Sequence, residues 1–331
     1  MINKSAMRDA LLERIWTGMH GNPDIFFLSA DFGSPVLDKI RADFPQRFIN
    51  VGVAEQNLIN VAAGLSLEGF IVFAYAIAPF ITMRCYEQIR VNLALLAEVR
   101  HLNVNLIGVG AGYSYVVSGP THQCYEDISV MRALPNMQVF SPSDHVSAAA
   151  LFERCINEAG PKYLRLDAQL LPVVYANGAP DMQSGFHVHQ HGGRIALVAT
   201  GYMLHTAFEV AERWRLAGER VGVIDLFDLA RFDETALATV LSAYDGVVTM
   251  EEGFRGRGGM DALLRDFAAR HALPSRILAL GVAPAYRFDL GSRRDLHEQV
   301  GIGPEACLHA IAAFSETLKV PDRRCAAAES L

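Results

Sequence analysis

The sequence is short of cysteine and of positive charge, and each shortage excludes a class of protein. Only five cysteines occur in 331 residues, with no CxxC pair and no histidine-partnered spacing. We therefore expect reduced thiols, without a disulfide framework or a structural zinc site. Lysine and arginine together number 29 against 36 aspartate and glutamate, which gives a formal net charge of −7. That balance argues against nucleic acid as the main partner.

Long apolar runs are also missing. No stretch of about 18 apolar residues is present, so the sequence predicts no membrane-spanning helix. The N-terminal letters MINKSAMRDALLERIW have the spacing of an amphipathic helix, capped by Ser5 and closed by Gly21, rather than that of a signal peptide. We therefore expect a cytoplasmic protein.

The composition is that of a globular chain with much buried surface: 51% hydrophobic residues, 20% charged residues and a mean hydropathy of +0.19. The length is sufficient for two domains of about 100–200 residues each. The letters NGAPDMQSGFHVHQHGG interrupt the periodic pattern. We predict a first domain over 1–175, a linker over 176–193, a second domain over 194–318 and a mobile tail over 319–331.

Short apolar runs alternate with helical patterns in both halves. In the first half, strands are predicted over 25–28, 47–51, 71–75, 104–109, 138–140 and 163–166. In the second half, they are predicted over 195–199, 221–225, 246–250 and 277–280. Such alternation predicts an α/β fold with a mainly parallel sheet, whose ligands lie at the carboxyl ends of the strands. Asp31, Glu55, Phe80 and the loop 108–123 all follow such ends.

Two histidines in the linker, His187 and His189, alternate with Phe186 and Val188. Alternation of this kind is typical of an edge strand, which we favour over a metal site.

Glu55 is the most distinctive candidate residue. It lies in GVAEQN, directly before LINVAAGL, a helical run that is apolar nearly all the way round. A carboxylate at the mouth of a buried helix needs a partner. Position alone leaves two interpretations: a residue that complements the helix dipole, or a functional acid.

The loop 108–123 offers a second candidate. Gly108, Gly110 and Gly112 follow a strand but lack the full GxGxxG spacing, so they predict a flexible loop that lets a ligand approach the backbone rather than a dinucleotide site. In the same loop, His122 of GPTHQ has the chemistry to hydrogen-bond a developing alkoxide or relay a proton. A packing or capping histidine is the alternative.

Four segments together resemble the C-terminal part of transketolases, especially the split bacterial transketolases made as two polypeptides. The segments are GVAEQNLINVAAGLSLEG, MRCYEQIR, GPTHQCYEDISVMRALPNM and VVTMEEGFRGRGG. Deoxyxylulose-phosphate synthases and the β subunits of 2-oxo-acid dehydrogenases share the glutamate motif, but GPTHQ and PNM fit the transketolase and synthase branches better. The resemblance covers residues 5–314. It implies a pyrimidine-binding domain of thiamine diphosphate enzymes followed by the α/β C-terminal transketolase domain.

The resemblance also implies roles for individual residues. Glu55 matches the acid that bonds N1′ of the cofactor's aminopyrimidine. Phe80 matches the aromatic residue that packs against the pyrimidine, although the spacing from Phe80 to YEQ is one residue long, which leaves Phe73 and Tyr75 as substitutes. Asp31 matches a strand-end acid near the cofactor whose role is structural.

On the substrate side, His122 matches the histidine that faces the substrate's oxygen, and Gln123 and Ser118 flank it as further substrate candidates. Ser118 stands where transketolases usually have an acid that contacts the donor sugar. Ala168 stands where they have the arginine that holds a sugar phosphate, and Arg165 lies nearby within a strand. These departures predict an atypical donor or acceptor, or a phosphate held by a partner chain.

The metal-binding half of the family pattern is missing. A GDG motif with a later asparagine normally anchors the cofactor's diphosphate through Mg²⁺, and this chain has no such motif and no predicted metal ligand. The resemblance therefore implies thiamine diphosphate held with Mg²⁺ mainly by a partner α subunit, in an α2β2 assembly. The loop 251–259, EEGFRGRGG, is expected to support dimer contacts.

The implied activity is the transfer of a two-carbon ketol unit from a ketose, free or phosphorylated, to an aldehyde. A 2-oxo-acid dehydrogenase β subunit and a non-catalytic scaffold remain as alternatives.

Overall fold

The first unit of the fold is a parallel six-stranded sheet. The computed structural model of the protein describes residues 5–273 and 276–318. The strands of this sheet are β1 (Ile25–Ser29), β2 (Phe48–Asn50), β3 (Ile71–Ile77), β4 (Asn103–Val109), β5 (Gln138–Phe140) and β6 (Gly160–Leu166). Their order is β2-β1-β3-β4-β6-β5, and every pairing is parallel. All six carboxyl ends therefore lie along one edge, as the sequence predicts.

Helices cover both faces of this sheet. They are α1 (Met7–Gly21), α2 (Pro35–Asp43), α3 (Glu55–Leu67), α4 (Tyr86–Gln88), α5 (Asp127–Arg132) and α6 (His145–Asn157). Because strand side chains alternate, β3 supplies two separate cores. Phe73 and Tyr75 belong to the core with α1, α2 and α6, whereas Ala74 and Ala76 belong to the core with α3.

Two helical expectations in this unit need correction. Helix α1 begins after Ala6 without a side-chain cap, and the Ser5 hydroxyl instead donates to the Ala6 carbonyl at 3.4 Å, so the predicted Ser5 cap is wrong. The predicted α-helix over 84–97 is interrupted: π-helical turns at Phe80–Arg84 and Ile89–Leu95 flank the short α4. Single π-helical turns of this kind are frequent at functional sites.

The second unit is a mixed five-stranded sheet. Its strands are β7 (Phe186–Gln190), β8 (Ile195–Ala199), β9 (Gly222–Leu226), β10 (Gly246–Phe254) and β11 (Arg276–Val282), in the order β11-β10-β8-β9-β7. Strand β7 is an edge strand antiparallel to β9, which confirms the interpretation of His187 and His189 as strand residues. The helices are α7 (Met203–Leu216), α8 (Glu234–Leu241), α9 (Met260–Arg270), α10 (Arg293–Gln299) and α11 (Pro304–Leu318).

Some sequence predictions fall beyond what the structure describes. The tail over 319–331 lies outside the described residues, and the boundaries of the two domains and the linker stay predictions. The sequence analysis assigned no helix to the stretches that form α2, α10 and α11. Within 5–273 and 276–318, none of the helices is long and apolar enough to cross a membrane.

A buried charge cluster joins the two units. Arg293, the first residue of α10, lies 2.6 Å from Asp167 Oδ2 through Nη1, and its Nη2 lies 2.5 Å from Glu252 Oε2. His297 adds a contact of 2.6 Å to Glu252 Oε1. Arg293 also stacks on Tyr202, 3.6 Å from the ring centroid. Since Asp167 follows the first sheet and Glu252 belongs to β10, one guanidinium ties the units together.

Arg293→Met tests the weight of this cluster. The substitution leaves two buried carboxylates without their main cation, so we expect it to lower the free energy of unfolding by about 3–5 kcal/mol. Arg294→Met is the matched control, because Arg294 is exposed and pairs with Glu209 at the surface; its expected effect is below about 1 kcal/mol. Urea denaturation followed by circular dichroism measures both. Equal effects of the two substitutions would contradict the assignment.

Candidate functional site

The site begins at Glu55, where the fold places a carboxylate at the carboxyl edge of the first sheet. Strand β2 ends at Asn50, the chain turns through Gly52 with a φ of 71°, and α3 begins at Glu55. Glu55 is 3% exposed, and Leu58 and Ile59 behind it are fully buried. A carboxylate removed from water to this degree must be paired. The sequence prediction of an acid at the mouth of a buried helix is therefore confirmed.

The partner of Glu55 is Arg84, which the sequence analysis did not identify. Arg84 Nη1 donates to both carboxylate oxygens, at 2.8 Å to Oε1 and 2.7 Å to Oε2. The same guanidinium lies over the Phe80 ring, with its carbon 4.3 Å from the ring centroid. Both residues come from the π-helical turn after β3. A signal was available, because Arg84 lies within the MRCYEQIR segment, four residues after Phe80.

His122 reaches the other side of this group. Its ring meets Phe80 edge-on, with centroids 5.3 Å apart and an angle of 68° between the planes. Nδ1 lies 2.9 Å from the Thr121 hydroxyl. Tyr115 stands perpendicular to His122 at 6.4 Å. The structure thus brings Glu55, Phe80 and His122 together, and it adds Arg84 and Tyr115.

The two alternative aromatic residues lie elsewhere. Phe73 is fully buried and stacks on Phe152, with centroids 6.3 Å apart. Tyr75 is fully buried and stacks on Phe32 at 5.2 Å, and burial raises the pKa of its phenol. Both belong to the core on the face opposite α3, so Phe80 is the aromatic residue of the three that stands beside Glu55.

Three further candidates have local contacts that limit what they do. Asp31 is exposed, has a φ of 55° and pairs with Asn50, whose Nδ2 donates to Asp31 Oδ1 at 3.0 Å. Gln123 is buried, and its Oε1 accepts from the Tyr125 hydroxyl. Ser118 is exposed at the rim of the loop that carries His122. Their proposed cofactor and substrate roles stay predictions.

The position expected for a phosphate clamp holds no available arginine. Arg165 is fully buried; its Nε donates to Asp127 at 2.8 Å and its Nη2 to the Glu252 carbonyl at 3.0 Å. Ala168 is partly buried against the core. In the part of the chain that the structure describes, no group of three or more His, Cys, Asp or Glu side chains is arranged to hold a metal ion.

The glycine-rich loop has a different use from the one predicted. A Cβ at Gly110 would come within 2.0 Å of the Tyr115 ring, and one at Gly112 within 2.3 Å of Glu252 Oε2. Gly110 has a φ of 105°. These glycines therefore admit other side chains of the protein, and the expectation that they leave room for a ligand is wrong. Their effect on the site is indirect, because Tyr115 stands beside His122.

Comparison with known proteins assigns both units. Residues 3–174 match the transketolase pyrimidine binding domain, and residues 185–307 match the transketolase C-terminal domain.

Individual relatives cover nearly the whole chain. One of the two subunits of the apulose-4-phosphate transketolase from Actinobacillus succinogenes is 30% identical over 92% of this chain and 97% of its own length. The SqwH subunit of a 6-deoxy-6-sulfo-D-fructose transketolase from a Clostridium species is 31% identical over 74% of this chain and 75% of its own length. A solved structure of a split gene transketolase, an inactive beta4 tetramer, has a TM-score of 0.83 at 31% identity and covers 96% of this chain and 100% of its own.

Gly110→Ala tests the packing of the loop. An alanine there combines a backbone conformation that L-residues disfavour with a clash against Tyr115, so we expect a loss of about 2–4 kcal/mol in unfolding free energy. Gly64→Ala is the matched control, because a Cβ at Gly64 in α3 meets nothing within 4 Å. That control is expected to gain about 0.5–1 kcal/mol. Urea denaturation compares the two, and an unchanged Gly110→Ala protein would refute the packing role.

Proposed function

The chain belongs to the transketolase family, and on that basis we propose that it is the C-terminal subunit of a two-chain, thiamine-diphosphate-dependent transketolase. The family match confirms the resemblance and the fold that the sequence suggested. The proposed reaction transfers a two-carbon ketol unit from a ketose donor to an aldehyde acceptor. The observation that carries the proposal is the convergence of buried Glu55, Phe80 and His122 at the carboxyl edge of the first sheet.

The residues present fit the pyrimidine half of the cofactor. A planar group with N–H donors already lies between Phe80 and Glu55, namely the guanidinium of Arg84. An aminopyrimidine offers the same flat shape and the same kind of donor. We propose that Phe80 packs against the ring and that Glu55 shares a hydrogen bond with its nitrogen N1′. When bound, thiamine diphosphate supplies the chemistry that breaks and forms a carbon–carbon bond next to a carbonyl group.

His122 is placed for work on the substrate's oxygens. Its Nδ1 is held by the Thr121 hydroxyl, which fixes the ring against Phe80. Among the described residues, Nε2 has no hydrogen-bond partner, so it is available to a ligand. A half-buried imidazole near neutral pH both donates and accepts protons. We assign His122 to hydrogen-bond a substrate oxygen and to move its proton.

A second chain is needed to complete the site. This sequence lacks the GDG pattern that the family uses for Mg²⁺ and diphosphate. We propose that an α subunit supplies both, in an α2β2 assembly. Two relatives are named as subunits, and the solved relative is an inactive beta4 tetramer, which supports this division. The loop 251–259 exposes Arg255 and Arg257, and we propose that these arginines support contacts in the assembly.

The donor is proposed to differ from the usual sugar phosphate. Ser118 and Ala168 replace the acidic and basic residues that transketolases use, and Arg165 is engaged internally with Asp127. The two named relatives act, by their names, on apulose 4-phosphate and on a sulfonated sugar. An unusual ketose is consistent with that variety.

Glu55→Ala tests the proposed function directly. In the complex reconstituted with the diphosphate-binding chain, we expect turnover to fall at least about 100-fold, because the acid at N1′ is lost. Assembly should persist, as judged by size-exclusion chromatography with light scattering. Glu68→Ala is the matched control, since Glu68 is exposed just beyond the far end of the same helix. Near-normal turnover in Glu55→Ala would defeat the proposal and favour a scaffold role.

The choice of donor separates a transketolase from a 2-oxo-acid dehydrogenase β chain. We expect the reconstituted complex to convert a ketose and an aldehyde without release of CO₂, and to leave pyruvate unchanged. Product analysis by NMR together with CO₂ detection measures both reactions. Decarboxylation of pyruvate, with no ketose conversion, would support the rival instead.

A further inference from the structure

We propose that Arg84 occupies the pyrimidine subsite of the free chain and must leave it before the cofactor binds. This inference rests on the proposed function, because it concerns the same Glu55 and Phe80. It adds something that the family assignment does not supply: an internal stand-in for the ligand.

The contacts of Arg84 reproduce those expected of the ligand. Its guanidinium is planar, stacks on Phe80 at 4.3 Å and donates to both oxygens of Glu55 at 2.7 and 2.8 Å. Flat shape, stacking and N–H donation are the three properties by which these two residues would recognise an aminopyrimidine. The recognition surface is therefore already satisfied by the chain itself.

Occupation by Arg84 and by a pyrimidine is mutually exclusive at this place. Carbon atoms in contact lie about 3.5–4.0 Å apart, so a separation of 4.3 Å between the guanidinium carbon and the Phe80 centroid leaves no space for another ring. Both carboxylate oxygens of Glu55 already accept from the same nitrogen. A pyrimidine on that face of Phe80 must displace the guanidinium.

Displacement is feasible because Arg84 is held weakly except at this contact. Its side chain is 43% exposed, so the released cation enters water, whereas Glu55 at 3% exposure stays buried and accepts the ligand's N–H instead. The backbone is fixed independently, since the Arg84 carbonyl accepts from Gln56 Nε2 at 3.3 Å. The side chain therefore moves without unfolding the π-helical turn. In the free chain Arg84 satisfies the buried carboxylate, and the chain alone binds pyrimidines weakly.

The test uses the full chain without its partner and the fragment 4-amino-5-hydroxymethyl-2-methylpyrimidine as the probe. Arg84→Met keeps an unbranched stem but removes the donors. We expect it to bind the fragment at least 10-fold more tightly than the wild type in ligand-observed NMR titrations. Arg90→Met is the matched control, because Arg90 lies on the same stretch and pairs with exposed Glu87; its affinity should equal that of the wild type. Circular dichroism verifies that each variant folds.

A second measurement reports occupation of the subsite itself. In Arg84→Ala the vacated place should bind methylguanidinium and release it when the pyrimidine fragment is added, whereas the wild type should bind no methylguanidinium there. Equal or weaker fragment binding by Arg84→Met, or no competition in Arg84→Ala, would overturn the inference.

Failure of the inference is distinguishable from failure of the proposed function. Glu55→Gln, added to the wild type and to Arg84→Met, should weaken fragment binding in both if Glu55 is the cofactor's acid. Weakening in both without any gain from Arg84→Met would refute the displacement alone. Fragment binding that ignores Glu55→Gln in both would refute the role of Glu55, and the inference with it.

Discussion

The cost of burying a carboxylate governs this structure from its core to its site. Four acidic side chains that are almost completely buried are each matched by an arginine. The pairs are Glu55 with Arg84, Asp127 with Arg165, Asp228 with Arg154, and Glu252 with Arg293. A desolvated carboxylate without such a partner costs several kcal/mol. Three of these pairs are closed on both sides. Of the four, the pair at Glu55 alone has an exposed cation, which is why that pair is the one suited to exchange its partner.

The same constraint explains what is missing from the substrate side. Arg165 belongs to the strand where a phosphate-binding arginine would be sought, but Asp127 and the Glu252 carbonyl hold it inside the protein. Asp167 pairs with Arg293 and so is occupied in joining the two units. Charges near the carboxyl edge are therefore neutralised internally. The selectivity of the site then depends on neutral groups, Tyr115 and Ser118 among them, and on the partner chain.

The sequence alone was sufficient for the architecture and for the central residue of the site. Alternating apolar runs predicted both sheets, because parallel strands and amphipathic helices leave strong periodic signals. Glu55 was visible because a lone acid before an apolar helix breaks a pattern. Arg84 was not visible, because its importance lies in a π-helical turn that brings it beside Phe80, and no local spacing rule reports such a turn. The glycine loop was misread for a related reason: an open backbone position predicts close approach, but not whether a ligand or Tyr115 makes it.

A chain that carries half of a cofactor site faces a problem that a complete enzyme does not. Its acid must be buried to act on a ring nitrogen, yet it is synthesised and folds without that ring. Pairing with Arg84 satisfies Glu55 in the meantime, at a place where the arginine keeps access to water. Because the guanidinium copies the ligand's flat shape, Phe80 is also kept in position for stacking. Binding then exchanges one set of hydrogen bonds for another of the same kind. The free energy that favours the cofactor must accordingly come from elsewhere, chiefly from the diphosphate and its metal ion on the partner, which makes cofactor binding depend on assembly.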